Sequence, residues 1–92
     1  MRTKQWSLGI YISEDDRETR AHAVLFSGGD EHTAGDGRAR RNPVDPEVAE
    51  IGDELAVARA LADLAGRLHG TADEDIARLT DPEERAGPPK AW

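Results

Sequence analysis

Apolar and polar residues alternate over the first part of the chain. Trp6, Leu8, Ile10 and Ile12 fall on one side, and Gln5, Ser7, Gly9 and Tyr11 on the other. A period of two over this length predicts a half-buried strand, Gln5 to Ser13. Glu14, Asp15, Asp16 and Arg17 form a polar turn; the three carboxylates lack further ligands at calcium-loop spacing, so a solvated turn is expected. A second strand follows from Thr19 to Ser27. Ala21, Ala23 and Leu25 share its inner face, and Arg20, His22, Val24 and Phe26 its outer one. Small inner alanines let a helix come close. Ser27-Gly28-Gly29-Asp30 is a turn cluster, and His32 to Arg41 reads as a third, weaker strand. Its Gly35 and Gly37 permit a bulge or a close backbone approach. Its polarity suits a sheet edge or a subunit boundary. Gly35-Asp36-Gly37 lacks the third glycine and the following helix of a dinucleotide-binding loop.

The period then changes from two to 3.6, and Pro46 to His69 reads as one long helix. Asp45 is a suitable N-cap and Pro46 a suitable first residue. Gly70 offers a left-handed exit. Gly52 is the weak point, since an interior glycine costs about 1 kcal/mol against alanine; a start nearer Ile51 is the alternative. Steps of about 100° sort the side chains into three stripes. Val48, Ile51, Leu55, Ala58, Ala62 and Ala65 form one, and Val57, Leu61, Leu64 and Leu68 an adjacent one. Arg59, Asp63 and Arg67 form a polar stripe spaced for i,i+4 pairs. Two readings fit so wide an apolar arc. The helix is sunk in its own core, or the alanine-rich stripe lies on the sheet while the leucine stripe, Val57, Leu61, Leu64 and Leu68, meets a second subunit. Thr71 and Glu74 make a capping box for a short second helix ending near Leu79 or Thr80. Residues 1–81 are expected to form one domain, with 82–92 a proline-rich tail ending in Trp92.

A chain of 92 residues has little surface to bury, so its stability margin is thin. The absence of cysteine removes disulfides, thiolate metal sites and a cysteine nucleophile. No apolar run approaches membrane length and no signal-peptide core is present, so a cytoplasmic protein without a membrane partner is expected. The net charge of -7 is unevenly placed. Residues 1–41 carry seven basic and seven acidic side chains; residues 42–92 carry five basic and twelve acidic. The acidic half disfavours nonspecific nucleic-acid binding. His22, His32 and His69 fall on separate elements, and no nucleophile or acid–base constellation is present. The reading is therefore a non-enzyme without a cofactor or metal. Arg38, Arg40 and Arg41 beside Asn42 form the one local cluster. They could hold phosphate oxygens of an RNA, or pair with carboxylates of the helical half.

The pattern Gly35-x-Gly37-x-Ala39-Arg40-x-Asn42-Pro43-x-Asp45, then Ile51-Gly52-Asp53-Glu54-Leu55-Ala56-Val57-Ala58-Arg59-Ala60-Leu61 and Asp63-Leu64, resembles a family of small actinobacterial proteins of unassigned function. The Trp6 strand and Thr19-Arg20-Ala21 fit as well, so the resemblance spans roughly residues 5–80. The tail and the polar third strand, with Asp36 and Arg38, depart from it. The resemblance implies an α+β fold like the double-stranded-RNA-binding domain (dsRBD): a three-stranded antiparallel sheet packed by one long and one short C-terminal helix, in the order β-β-β-α-α. It also implies a homodimer, with exchange of C-terminal elements as one form of it. Some mycobacterial members are linked to hypoxia and dormancy. The dimer of at least one relative looks like ribosome hibernation factors, so the resemblance implies a stress-time role at the ribosome; the acidic helical half points instead to an unidentified protein partner.

Overall fold

A computed structural model describes residues 1–46 and 48–79. Three strands, β1 (Trp6–Asp15), β2 (Glu18–Ser27) and β3 (Asp30–Arg40), precede one helix, α1 (Ala49–Leu79). The strands form an antiparallel sheet in chain order, with β2 in the centre. The fold class is thus α+β, as expected. Strand bounds shift from the sequence reading by two residues at most. Gly28 and Gly29 carry φ of +63° and +92°, which a two-residue hairpin between paired Ser27 and Asp30 requires. One bulge interrupts β2–β3: Leu25 pairs with Thr33 and Phe26 with Glu31, leaving His32 as the extra residue. The His32 ring lies 5.3 Å from that of Trp6.

The helix differs from expectation at both ends. It starts at Ala49, after a turn in which Asp45 N–H donates to Asn42 O, so Asp45 and Pro46 stand outside it. It does not stop at Gly70 but runs on to Leu79, so the expected short second helix is the end of the first. Thr71 does not cap a new helix; its hydroxyl donates back to Arg67 O, four residues earlier. His69 pairs with Asp73 across the glycine. A glycine inside a helix costs about 1 kcal/mol but leaves its N–H and C=O free to bond, so it weakens a helix without ending it. The expected tail, 82–92, with Trp92, lies outside the described residues.

Small residues bring the helix down onto β2 and β3. Ala21, Ala23, Ala39, Ala56, Ala60 and Leu64 form the core cluster, each no more than 6% exposed, and Leu25, Val57 and Leu61 pack against it. On β3 the two glycines lie under the helix backbone: a Cβ on Gly35 would fall 2.3 Å from Leu64 N. The line resting on the sheet is therefore Ala56, Ala60 and Leu64, with spacing i, i+4, i+8. This corrects the stripe assignment. The alanine-rich stripe does not lie on the sheet; Val48, Ile51, Leu55, Ala58, Ala62 and Ala65 are all exposed. The leucine stripe is divided, with Leu64 buried and Val57, Leu61 and Leu68 half-buried. Among the described residues no large side chain is fully buried, so the chain's own core is thin.

The polar stripe of the helix closes one edge of the sheet. Asp36 N–H, pointing outward from β3, donates to Asp63 Oδ2 at 2.9 Å. Arg59 Nη1 donates to the outward carbonyl of Arg38 at 2.7 Å. Arg67 Nε holds Asp63 from the next turn, at 3.2 Å. Side chains expected only to pair along the helix thus satisfy the free hydrogen-bonding groups of an edge strand.

Candidate interaction surfaces

The first candidate surface follows from the position of the helix over β2 and β3. On the same face of the sheet, β1 is left uncovered, and Trp6, Leu8, Ile10 and Ile12 stay 39–49% exposed. Arg59 and Asp63 face the β3 edge. Val57 and Leu61, each two residues earlier and so about 160° round the helix, face toward β1. Leu8, Ile10 and Ile12 thus present exposed apolar side chains on the face of the sheet where Val57 and Leu61 pack against the core. The expected interface residues therefore separate. Val57 and Leu61 are half-buried at the margin of the core, Leu64 belongs to it, and half-buried Leu68 continues the stripe one turn past Leu64. The exposed apolar side chains of β1 were not part of the expected interface. Their alternation signals a half-buried strand and does not show whether a helix of the same chain covers it.

The second surface is the outer face of the sheet. Register puts Tyr11, His22 and Asp36 in one row, Ser13, Arg20 and Arg38 in the next, and Asp15, Glu18 and Arg40 in a third. His22 Nδ1 and Asp36 Oδ1 are 2.7 Å apart. Glu18 Oε1 lies 3.5 Å from Arg20 Nε and 3.4 Å from Arg38 Nε. A shallow groove of about 660 Å³ runs past Tyr11, Ser13, Arg20, His22, Asp36 and Arg38. The predicted arginine cluster is split between this face and a loop. Arg38 and Arg40 stand on the face, whereas Arg41 turns into the loop, where its guanidinium donates to Asp45 O at 2.9 Å. The carboxylate that pairs with Arg38 belongs to β2, not to the helical half as expected. Alternation explains the split, because neighbouring strand residues point to opposite sides. Arg20, the third cation of this face, is remote in sequence and was missed.

A cleft of about 800 Å³ opens where the β1–β2 turn meets the start of the helix. Acidic Glu14, Asp15, Asp16, Glu18 and Asp45 line it together with Arg17, Arg40 and Arg41. At its rim Glu14 lies against Asp53. The hydrogen bond to Asp53, then the Asp53 charge, then burial raise the Glu14 carboxyl above its usual 4.5. Asp63 shifts the other way. The Asp36 amide and the Arg67 side chain hold it below its usual 3.8. No cluster of three or more potential metal-ligating His, Asp or Glu occurs among the described residues. No described helix is long and apolar enough to cross a membrane.

Among the described residues, the three-stranded sheet and one helix define a small α+β protein. Residues 4–85 match the Rv2632c-like family, and the chain belongs to that family. Over 77 residues it is 46% identical to the uncharacterised protein Rv2632c of Mycobacterium tuberculosis, spanning 84% of this chain and 82% of that one. It is 44% identical over 77 residues to the uncharacterised protein Mb1767 of Mycobacterium bovis, covering 84% and 81% of the two chains. The crystal structure of Rv2632c superposes with a TM-score of 0.78 at 44% identity, covering 87% of this chain and 94% of that one.

Proposed function

We propose that this chain is a non-enzymatic, homodimeric protein-interaction module of the cytoplasm that acts in stress or dormancy, on a dsRBD-like scaffold. The observation that carries the reading is the uncovered apolar face of β1, with Leu8, Ile10 and Ile12 beside Val57 and Leu61. A core built mainly of alanines contributes little burial, and apolar surface covered by a second chain adds to it. The helical half, with twelve acidic side chains against five basic, then offers a protein partner a predominantly negative surface. Light scattering at micromolar concentration tests the dimer: a mass near twice the 10.0 kDa of one chain is expected, and a monomer would sink the reading. The stress role rests on the resemblance to dormancy-linked mycobacterial proteins. A deletion strain that regrows after oxygen withdrawal as fast as its parent would remove it.

A second reading, a ribosome- or RNA-associated factor of the hibernation type, is favoured by Arg20, Arg38 and Arg40 on one face of the sheet. Its test is co-sedimentation with ribosomes across a salt series. Contacts to phosphate predict binding that falls steeply with salt, and a flatter slope when all three arginines become alanine. Salt-independent or absent association leaves the interaction module as the sole reading.

A further inference from the structure

We infer that two copies of this chain join through β1, antiparallel and centred on Ile10, so that the two sheets become one of six strands with both helices on the same face. This rests on the dimer reading above and specifies its geometry. Hydrogen-bond phase supplies the first argument. On β3 the outward groups belong to Asp36 and Arg38, so Gly35, Gly37 and Ala39 bond to Ala23, Ala21 and Thr19 of β2. Arg41 N–H donating to Arg17 O continues the same phase. N–H and C=O alternate sides along a strand, so Arg20, His22 and Val24 bond toward β1, to Ser13, Tyr11 and Gly9. That leaves the N–H and C=O of Leu8, Ile10 and Ile12 pointing out from the free edge of β1. Among the described residues no other group bonds them.

The two edges of the sheet are thus unlike. Arg59 and Asp63 close β3, whereas β1 carries neither proline nor charge from Trp6 to Ser13, so the usual devices against strand addition are missing there. The sequence of β1 names the occupant, because it complements itself. About Ile10, Leu8 meets Ile12 of the second copy on the apolar face. Ser7 meets Ser13, and Gly9 meets Tyr11, on the other. Leu8, Ile10 and Ile12 each gain an apolar cross-strand neighbour, Trp6 falls opposite Glu14, and the smallest residue of the outer face stands opposite the largest. A two-fold axis through Ile10 perpendicular to the sheet keeps both helices on one side.

The chain contains no cysteine, so register can be read by cross-linking. Ser7 and Ser13 are exposed and form a non-hydrogen-bonded pair in this geometry, with Cα atoms about 4.5 Å apart, within disulfide range. Within each like pair the two cysteines would be about 20 Å apart, six residues along the strand. The test is to oxidise Ser7→Cys alone, Ser13→Cys alone, and an equimolar mixture after subunit exchange. Covalent dimer in the mixture but in neither single variant is the expected result. If light scattering shows a dimer and the mixture does not cross-link, this pairing is overturned while the dimer reading stands. A monomer in light scattering overturns both.

Discussion

Gly37 lies directly beneath Ala56: a Cβ on the glycine would fall 2.2 Å from the Ala56 carbonyl oxygen. The obstructing atoms are backbone, which cannot swing aside like a side chain. Gly37→Ala therefore has to lift the helix from β3, loosening Ala56 and Ala60 and the bonds from Arg59 and Asp63. Overpacking a close-fitting core costs about 1–3 kcal/mol, and a clash with backbone belongs at the upper end. Urea unfolding should show a lower midpoint. An unchanged midpoint would mean that the helix does not rest on the glycines.

The two apolar stripes of α1 should respond differently to truncation. Leu64 is 6% exposed in the core, so Leu64→Ala should cost about 2–5 kcal/mol, a large share of a small domain's stability. Ile51 is 54% exposed, lining the open cleft at the start of the helix and outside the core cluster, and Ile51→Ser should change stability by about 0.5 kcal/mol or less. Thermal unfolding of the two variants decides the orientation of the helix. Equal losses would contradict the stripe assignment.

How far the sequence could be read follows from which signals are local. Alternation in β1 and β2 and the Gly28-Gly29 turn are local, and the sheet formed as they predict. Gly70 misled because its usual meaning at a helix end competes with its tolerated presence inside one. The apolar stripes misled because Ala56 and Ala60, the residues nearest the sheet, carry too little hydrophobic surface to stand out beside leucines. Gly35 and Gly37 did signal a close approach, but not which turn of which helix would come close. The edge-closing role of Arg59 and Asp63 depends on where the helix sits relative to β3, and no spacing within the helix encodes that.

Two carboxyl groups should respond to pH in opposite senses. Asp63 is lowered in the folded state, first by the Asp36 amide and then by Arg67. Its contribution is present above its unfolded value, near 3.8, and is lost as pH falls through the lower folded value. Glu14 is raised by Asp53, so its contribution is complete below about 4.5 and is lost as pH rises through the folded value. Asp53→Asn removes the carboxylate that raises Glu14. Carbon-detected NMR titration should then show the Glu14 carboxyl titrating lower than in the parent. No movement would mean that the two groups do not meet at the end of β1.

The last prediction concerns the edge that the helix closes. Asp63 takes the outward N–H of Asp36 and Arg59 the outward C=O of Arg38. Replacing both helix residues with alanine leaves those backbone groups to water or to another strand. The core line Ala56, Ala60 and Leu64 is untouched, so circular dichroism should still report the helix. If the β1 edge serves the dimer, freeing β3 gives each dimer one unsatisfied edge at each end, and association is no longer limited to two chains. Arg59→Ala/Asp63→Ala should therefore show a mass that grows with concentration beyond the dimer, and faster deuterium uptake at the Asp36 amide. A mass that stays at the parental value, with unchanged exchange at Asp36, would show that the bulk of the helix guards this edge without its polar stripe. Growth that disappears when β1 is also blocked would show that both edges are needed for open-ended assembly, as expected for a sheet whose β1 edge pairs once and whose β3 edge is closed by Arg59 and Asp63.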